Sequence, residues 1–209
     1  MKFHQLTTLL VIVITIIACT HNKNNYTTLS PQNFYTEIEK TETQLVDVRT
    51  SEEHAQGNIA GSINIDVTQD NFITKATDIL NKKQSVALYC RSGRRSKNAA
   101  SQLAQAGYNV IELDGGYNAW KENGTLFITH EIKHLLQNYV QKAASITSQE
   151  EGEELTENLF IEYNNLCEKH EKEIKEWVEK INAEESEALN YKKEIEDILE
   201  DFTRNINVK

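Results

Sequence analysis

Four short runs rich in apolar residues, at residues 45–48, 63–65, 86–89 and 110–113, alternate with segments of a different period. Runs this short, bounded by polar residues, read as strands. Between them, Phe72, Ile73, Ala76, Ile79 and Leu80, and then Ala99, Ala100, Leu103 and Ala104, recur at helical spacing. Strand and helix alternating over about a hundred residues fold as an α/β domain with a mostly parallel sheet. Ser30-Pro31 opens it, with Pro31 at the first position of a helix carrying Phe34, Tyr35 and Ile38. Ser51 is placed to cap a short helix beginning at Glu52, and Asp70 to cap the helix of Phe72. Ligands of such a domain collect at the C-terminal ends of the strands.

One of those ends carries a thiol. Val86-Ala87-Leu88-Tyr89 runs into Cys90-Arg91-Ser92-Gly93-Arg94-Arg95-Ser96, and the helix after it closes at Gly107. Loop amides and a helix N-terminus favour negative charge in their bowl. Arg91, Arg94 and Arg95 add positive charge, so the Cys90 thiol should ionise more readily than free cysteine. Phosphatase chemistry is the sharper rival to sulfur chemistry. It uses a cysteine with arginine six positions on, so that a wide loop and a guanidinium wrap a phosphate. Position 96 is serine, so that guanidinium is absent.

The thiol loop resembles the active-site loop of the rhodanese, or sulfurtransferase, family. Leu45-Val46-Asp47-Val48-Arg49 resembles that family's Asp-x-Arg strand. Glu52-Glu53-His54 through Gly57-Asn58-Ile59-Ala60-Gly61-Ser62, then Ile63-Asn64-Ile65, resemble the segment and strand that follow. Leu113-Asp114-Gly115-Gly116 with Trp120 resembles its closing motif. Asn58, Ala60 and His54 depart from the family's histidine, proline and aromatic residue. The resemblance implies that Cys90 attacks the outer sulfur of a donor such as thiosulfate, forms a persulfide, and yields that sulfur to cyanide or a thiol. It further implies that the loop from Arg91 through Ser92, Gly93, Arg94 and Arg95 to Ser96 binds the anionic substrate, with Arg95 free to point to solvent. It puts Asp47 at the site mouth and pairs Arg49 with Glu53 to support the following turn. No cofactor and no metal is implied. Gly115, Gly116 and Trp120 read as turn and packing residues.

Charge divides the chain. Residues 1–128 hold 12 acidic and 12 basic residues, and residues 129–209 hold 20 and 10, which is the whole net charge of −10. The acidic half argues against nucleic acid as a partner. From Thr129 onward there is no proline and one glycine, and three apolar stripes predict three amphipathic helices, broken near 145–152 and 183–186. These form an antiparallel hairpin or bundle, or a coiled coil with a protein partner. His130 and His134 are expected on a solvated helix face, and Cys167 as a small apolar residue.

At the other end, a charged start and an apolar stretch from Leu6 to Ala18 precede Cys19. This resembles a bacterial lipoprotein signal and implies lipidation at Cys19, membrane attachment and a place outside the cytoplasm. The organisation expected is therefore signal 1–18, polar tether 19–29, rhodanese-like domain 30–128 and acidic helical region 129–209. The alternative in function is a membrane-anchored interaction or sulfur-carrier protein whose helices bind a dedicated partner.

Overall fold

The computed structural model describes residues 25–207, so the expected signal sequence and the expected lipidation at Cys19 fall outside the described residues. Among the described residues five strands form one parallel sheet: β1 Thr27–Leu29, β2 Thr43–Asp47, β3 Ile63–Asn64, β4 Ser85–Tyr89 and β5 Val110–Leu113, in the order β1-β5-β4-β2-β3. The helices of this half are α1 Pro31–Ile38, α2 Ser51–Ala55, α3 Phe72–Ile79, α4 Arg94–Gln105 and α5 Gly116–Glu122.

Side chains alternate across a strand, and β4 uses both faces. Val86 and Leu88, followed by Cys90, pack with Phe72 and Ala76 of α3 and with Ala99 and Leu103 of α4. Ala87 and Tyr89 turn the other way, onto Phe34, Trp120 and Leu126. The central strand is thus sealed on both sides, and its C-terminal tip is the way out to solvent.

Three local expectations change. β1 occupies residues expected to be tether: Thr27 and Leu29 pair with Ile111 and Leu113. Helix α2 is capped by Thr50, whose hydroxyl accepts from Glu53 N while Glu53 accepts from Thr50 N, a reciprocal capping box. Ser51 is therefore inside the helix. Helix α3 follows Asn71, which makes no side-chain cap bond, instead of Asp70.

The C-terminal region has four helices where three are expected: α6 Gly124–Ala144, α7 Gln149–Lys169, α8 Glu171–Asn182 and α9 Ser186–Asn207. The extra break falls at His170, whose ring packs edge-on against Phe127, with centroids 4.9 Å apart, and turns the chain. α6 runs straight through residue 128. Its Leu126 and Phe127 belong to the sheet's core, while its Ile132, Leu136, Tyr139 and Ala143 meet Leu159, Trp177, Ile195 and Phe202 in the bundle. One helix therefore serves both cores, and residue 128, where the charge divides, lies within it. His130 is buried on this helix, against Trp120 and beside Ala60 O at 3.0 Å, instead of facing solvent. Among the described residues no helix is long and apolar enough to cross a membrane.

Candidate active site

Cys90 follows β4 directly and is 1% exposed. The chain then turns through Arg91 and Ser92 to Gly93, whose φ of +92° few L-residues tolerate, and enters α4. Burial pushes the Cys90 thiol up, but the Ser96 hydroxyl and the backbone N–H groups of Ser96, Ser92 and Gly93 outweigh it, so the net shift is downward. Ser96 Oγ lies 3.4 Å from Cys90 Sγ. These donors are fixed dipoles around one sulfur, an arrangement that stabilises an anion there without further reorganisation.

The closing Gly-Gly of the sequence reading does more than turn the chain. Tyr117 N donates to Cys90 O at 2.8 Å and Asn118 N to Arg91 O at 3.1 Å, so the start of α5 holds the thiol loop from the side. Gly116 has a φ of +61°, and a Cβ there would collide with Cys90 O and stand 2.9 Å from Ser92 N. Only glycine lets these two backbones approach so closely.

The carboxylates and guanidiniums pair differently from the expectation. Arg49 binds Asp47, with Nε 2.9 Å from Oδ1 and Nη2 2.6 Å from Oδ2, and also donates to Gly57 O. Its plane lies over the Tyr117 ring at 4.4 Å. Glu53 takes Arg95 instead, through two bonds of 2.6 and 2.7 Å. That pairing holds the Glu53 carboxyl down at about 2, and it turns Arg95 away from solvent. The reason is geometric: a residue two positions along the same strand end reaches Asp47, whereas Glu53 faces across to α4. Asp47, expected at the mouth, is fully buried, and its carboxylate accepts from Arg49 and contacts His54 Nδ1 at 3.0 Å. In this position it orients Arg49.

A cleft of about 310 Å³ opens beside the loop, lined by Arg49, Glu53, Gly57, Arg91, Tyr117 and Asn118. Arg91, Ser92 and Arg94 are exposed, and Gly93 and Ser96 are buried. Tyr117, Asn118 and a buried carboxyl at Glu112 were missed by motif reading. The signal for Glu112 was available: it is a lone charge inside the apolar strand Val110-Ile111-Glu112-Leu113. Cys167 is a half-buried free cysteine on α7, away from this loop. Among the described residues no cluster of three or more His, Cys, Asp or Glu side chains is arranged to hold a metal.

Comparison with known proteins agrees with this geometry. The rhodanese-like domain profile matches residues 30–123. A sulfurtransferase of Allochromatium vinosum is 38% identical over 88 residues, spanning 42% of this chain and 79% of that protein. Thiosulfate sulfurtransferase 16 of Arabidopsis thaliana is 33% identical over 89 residues, 38% of this chain and 74% of the other. A crystal structure of a rhodanese-related protein from Thermoplasma volcanium is 31% identical and covers 47% of this chain and 94% of its own, with a TM-score of 0.41. The relatives' names support rhodanese-type sulfur transfer at the level of the family. With its thiol loop between β4 and α4, the chain belongs to the rhodanese-like domain family.

Proposed function

We propose that the protein is a sulfurtransferase that carries sulfane sulfur on Cys90. The observation that carries this reading is the ring of N–H donors and the Ser96 hydroxyl around a sulfur whose pKa is lowered. The Cys90 thiolate attacks the outer sulfur of thiosulfate, the S–S bond of the donor breaks, and its electron pair leaves with sulfite. The terminal sulfur of the resulting persulfide is negative, and the same amides stabilise it. Cyanide or an acceptor thiol then attacks that terminal sulfur and returns Cys90 as thiolate. Arg91 and Arg94, exposed beside the loop, draw the anionic donor in.

Lipidation at Cys19, membrane attachment and a place outside the cytoplasm complete the proposal, supported by the apolar stretch that precedes Cys19. In a second reading the acidic helices bind a dedicated protein partner. It is favoured by Phe160 and Ile161, 66% and 50% exposed on α7. The test is thiosulfate:cyanide sulfurtransfer by the chain from Thr20 onward, beside Cys90→Ser and Cys167→Ser. Activity should vanish in Cys90→Ser and persist in Cys167→Ser. A folded, unmutated protein with no turnover would reject the enzyme reading in favour of the second.

A further inference from the structure

The chemistry above uses the Ser96 hydroxyl and leaves out the carboxyl behind it. Glu112 is fully buried on β5, between Leu88 of β4 and Thr28 of β1. Its Oε1 lies 2.7 Å from Ser96 Oγ, and its Oε2 has no hydrogen-bond partner. Ser96 Oγ in turn faces Cys90 Sγ at 3.4 Å and Gly93 O at 3.0 Å. A hydroxyl has one proton to give, and here three acceptors compete for it.

The protonation state of Glu112 decides the competition. An ionised Glu112 would take the Ser96 proton and leave the sulfur without that donor. A neutral Glu112 protonated on Oε1 donates to Ser96 Oγ, and the Ser96 proton becomes available to the sulfur. Oε2, which forms no hydrogen bond although the Thr28 hydroxyl is near the carboxyl, favours the neutral acid, because a buried carboxylate needs partners on both oxygens. Burial pushes the Glu112 carboxyl up, against the Ser96 and Thr28 hydroxyls and the Lys97 ammonium, while Asp114 reinforces the rise. Lys97 on α4 is itself held by Asp114 at 3.3 Å. With Cys90 at the end of β4, these are the charged and titratable groups that face it.

We propose that Glu112 is a positioning residue: as the neutral acid it donates to Ser96, and so turns the Ser96 hydroxyl onto the Cys90 sulfur. No proton changes hands; the chain of two hydrogen bonds acquires a direction. Its catalytic consequence rests on the sulfurtransferase reading, whereas its effect on the thiol does not.

The test is the pH dependence of iodoacetamide alkylation, followed at the Cys90 peptide of the full chain. Glu112→Leu should raise the midpoint and slow alkylation at pH 7 by about threefold to tenfold, the scale of one weakened bond to a charged sulfur. Glu112→Gln, whose amide N–H donates to Ser96 in the same way, should alkylate like the unmodified protein. Ser96→Ala should also slow the reaction, and on that background Glu112→Leu should add nothing. An unchanged profile in Glu112→Leu, or an equal effect with and without Ser96, overturns the proposal. If Glu112→Leu fails to fold, infrared spectroscopy decides: a protonated-carboxyl stretch at neutral pH that disappears in Glu112→Gln supports it, and the absence of that band overturns it. Alkylation needs no sulfur donor, so the two readings fail separately. An inactive protein with this alkylation pattern loses sulfur transfer and keeps the Glu112 role. An active one whose Glu112→Leu profile is unchanged does the reverse.

Discussion

Cys90, on the α3–α4 face of the sheet, and Lys133, beyond the opposite face over α1, are both buried polar groups with every neighbour in place. Around Cys90 the neighbours are mainly N–H groups and a hydroxyl, dipoles that favour a charge without cancelling it, and the Arg95 guanidinium that also reaches the thiol is already held by Glu53. Around Lys133 two of them are whole charges: its ammonium meets the Glu39 carboxylate and Glu194 at 2.7 Å, as well as the neutral Tyr35 hydroxyl at 2.9 Å. The first arrangement favours a thiolate. The second leaves nothing to react and fastens α6 and α9 onto α1. Burial alone does not mark a reactive group; what matters is whether dipoles or counter-charges answer it.

The sharpest way to break that comparison is to disturb one cluster and watch the other. Gly116→Ala drives a methyl into Cys90 O at a φ of +61°, so either the thiol loop or the start of α5 must move. The expected loss is about 3 kcal/mol of stability together with a collapse of Cys90 alkylation by more than about a hundredfold, since the amides would no longer converge on the sulfur. Thermal unfolding and the alkylation rate measure the two effects. A fully reactive Cys90 in the folded variant would show that the Gly116 approach does not hold the loop.

Lys133→Met is the mirror experiment. It strips the counter-charge from Glu39 and Glu194, whose side chains are 24% and 45% exposed, so solvent softens the penalty of a fully buried pair. About 2 kcal/mol should be lost in urea unfolding, with Cys90 alkylation unchanged. A slowed thiol would mean that the two clusters communicate through the sheet.

How far each cluster could be read from sequence follows from its locality. The thiol loop is contiguous, so its strand, its turn at Gly93 and its helix were legible together. The Lys133 cluster joins residues 94 and 61 positions apart, and no periodicity reports such a pairing. Arg49 was given to Glu53 by the family resemblance, but Arg49 stands at a strand end, where Asp47 is the nearer partner. Thr27–Leu29 passed for tether because an edge strand has one neighbour and needs little apolar character. The break at His170 carries neither glycine nor proline, and the packing of its ring on Phe127 is visible only in three dimensions.

The smallest effect lies between the two extremes, at Glu53–Arg95, where whole charges meet beside the thiol loop. Arg95 holds Glu53 at about 2, below the ordinary carboxylate value of 4.5. A carboxyl depressed in the folded state contributes stability that is fully present above its unfolded pKa and is lost as pH falls through the folded one. The window is therefore from about pH 4.5 down to about pH 2. Both side chains are about a quarter exposed, at 24% and 27%, so solvent screening holds the contribution to about 1 kcal/mol. Glu53→Gln should be less stable than the unmodified protein by that amount at neutral pH, and the gap should close as pH falls through the window. Urea unfolding at stepped pH measures it. A gap that persists to about pH 2 would assign the loss to the fit of this side chain in the capping box with Thr50 instead of to the charge of Arg95. In that case the rim of the thiol loop would be held by hydrogen-bond geometry alone, and the contrast between dipoles at Cys90 and paired charges at Lys133 would extend to its edge.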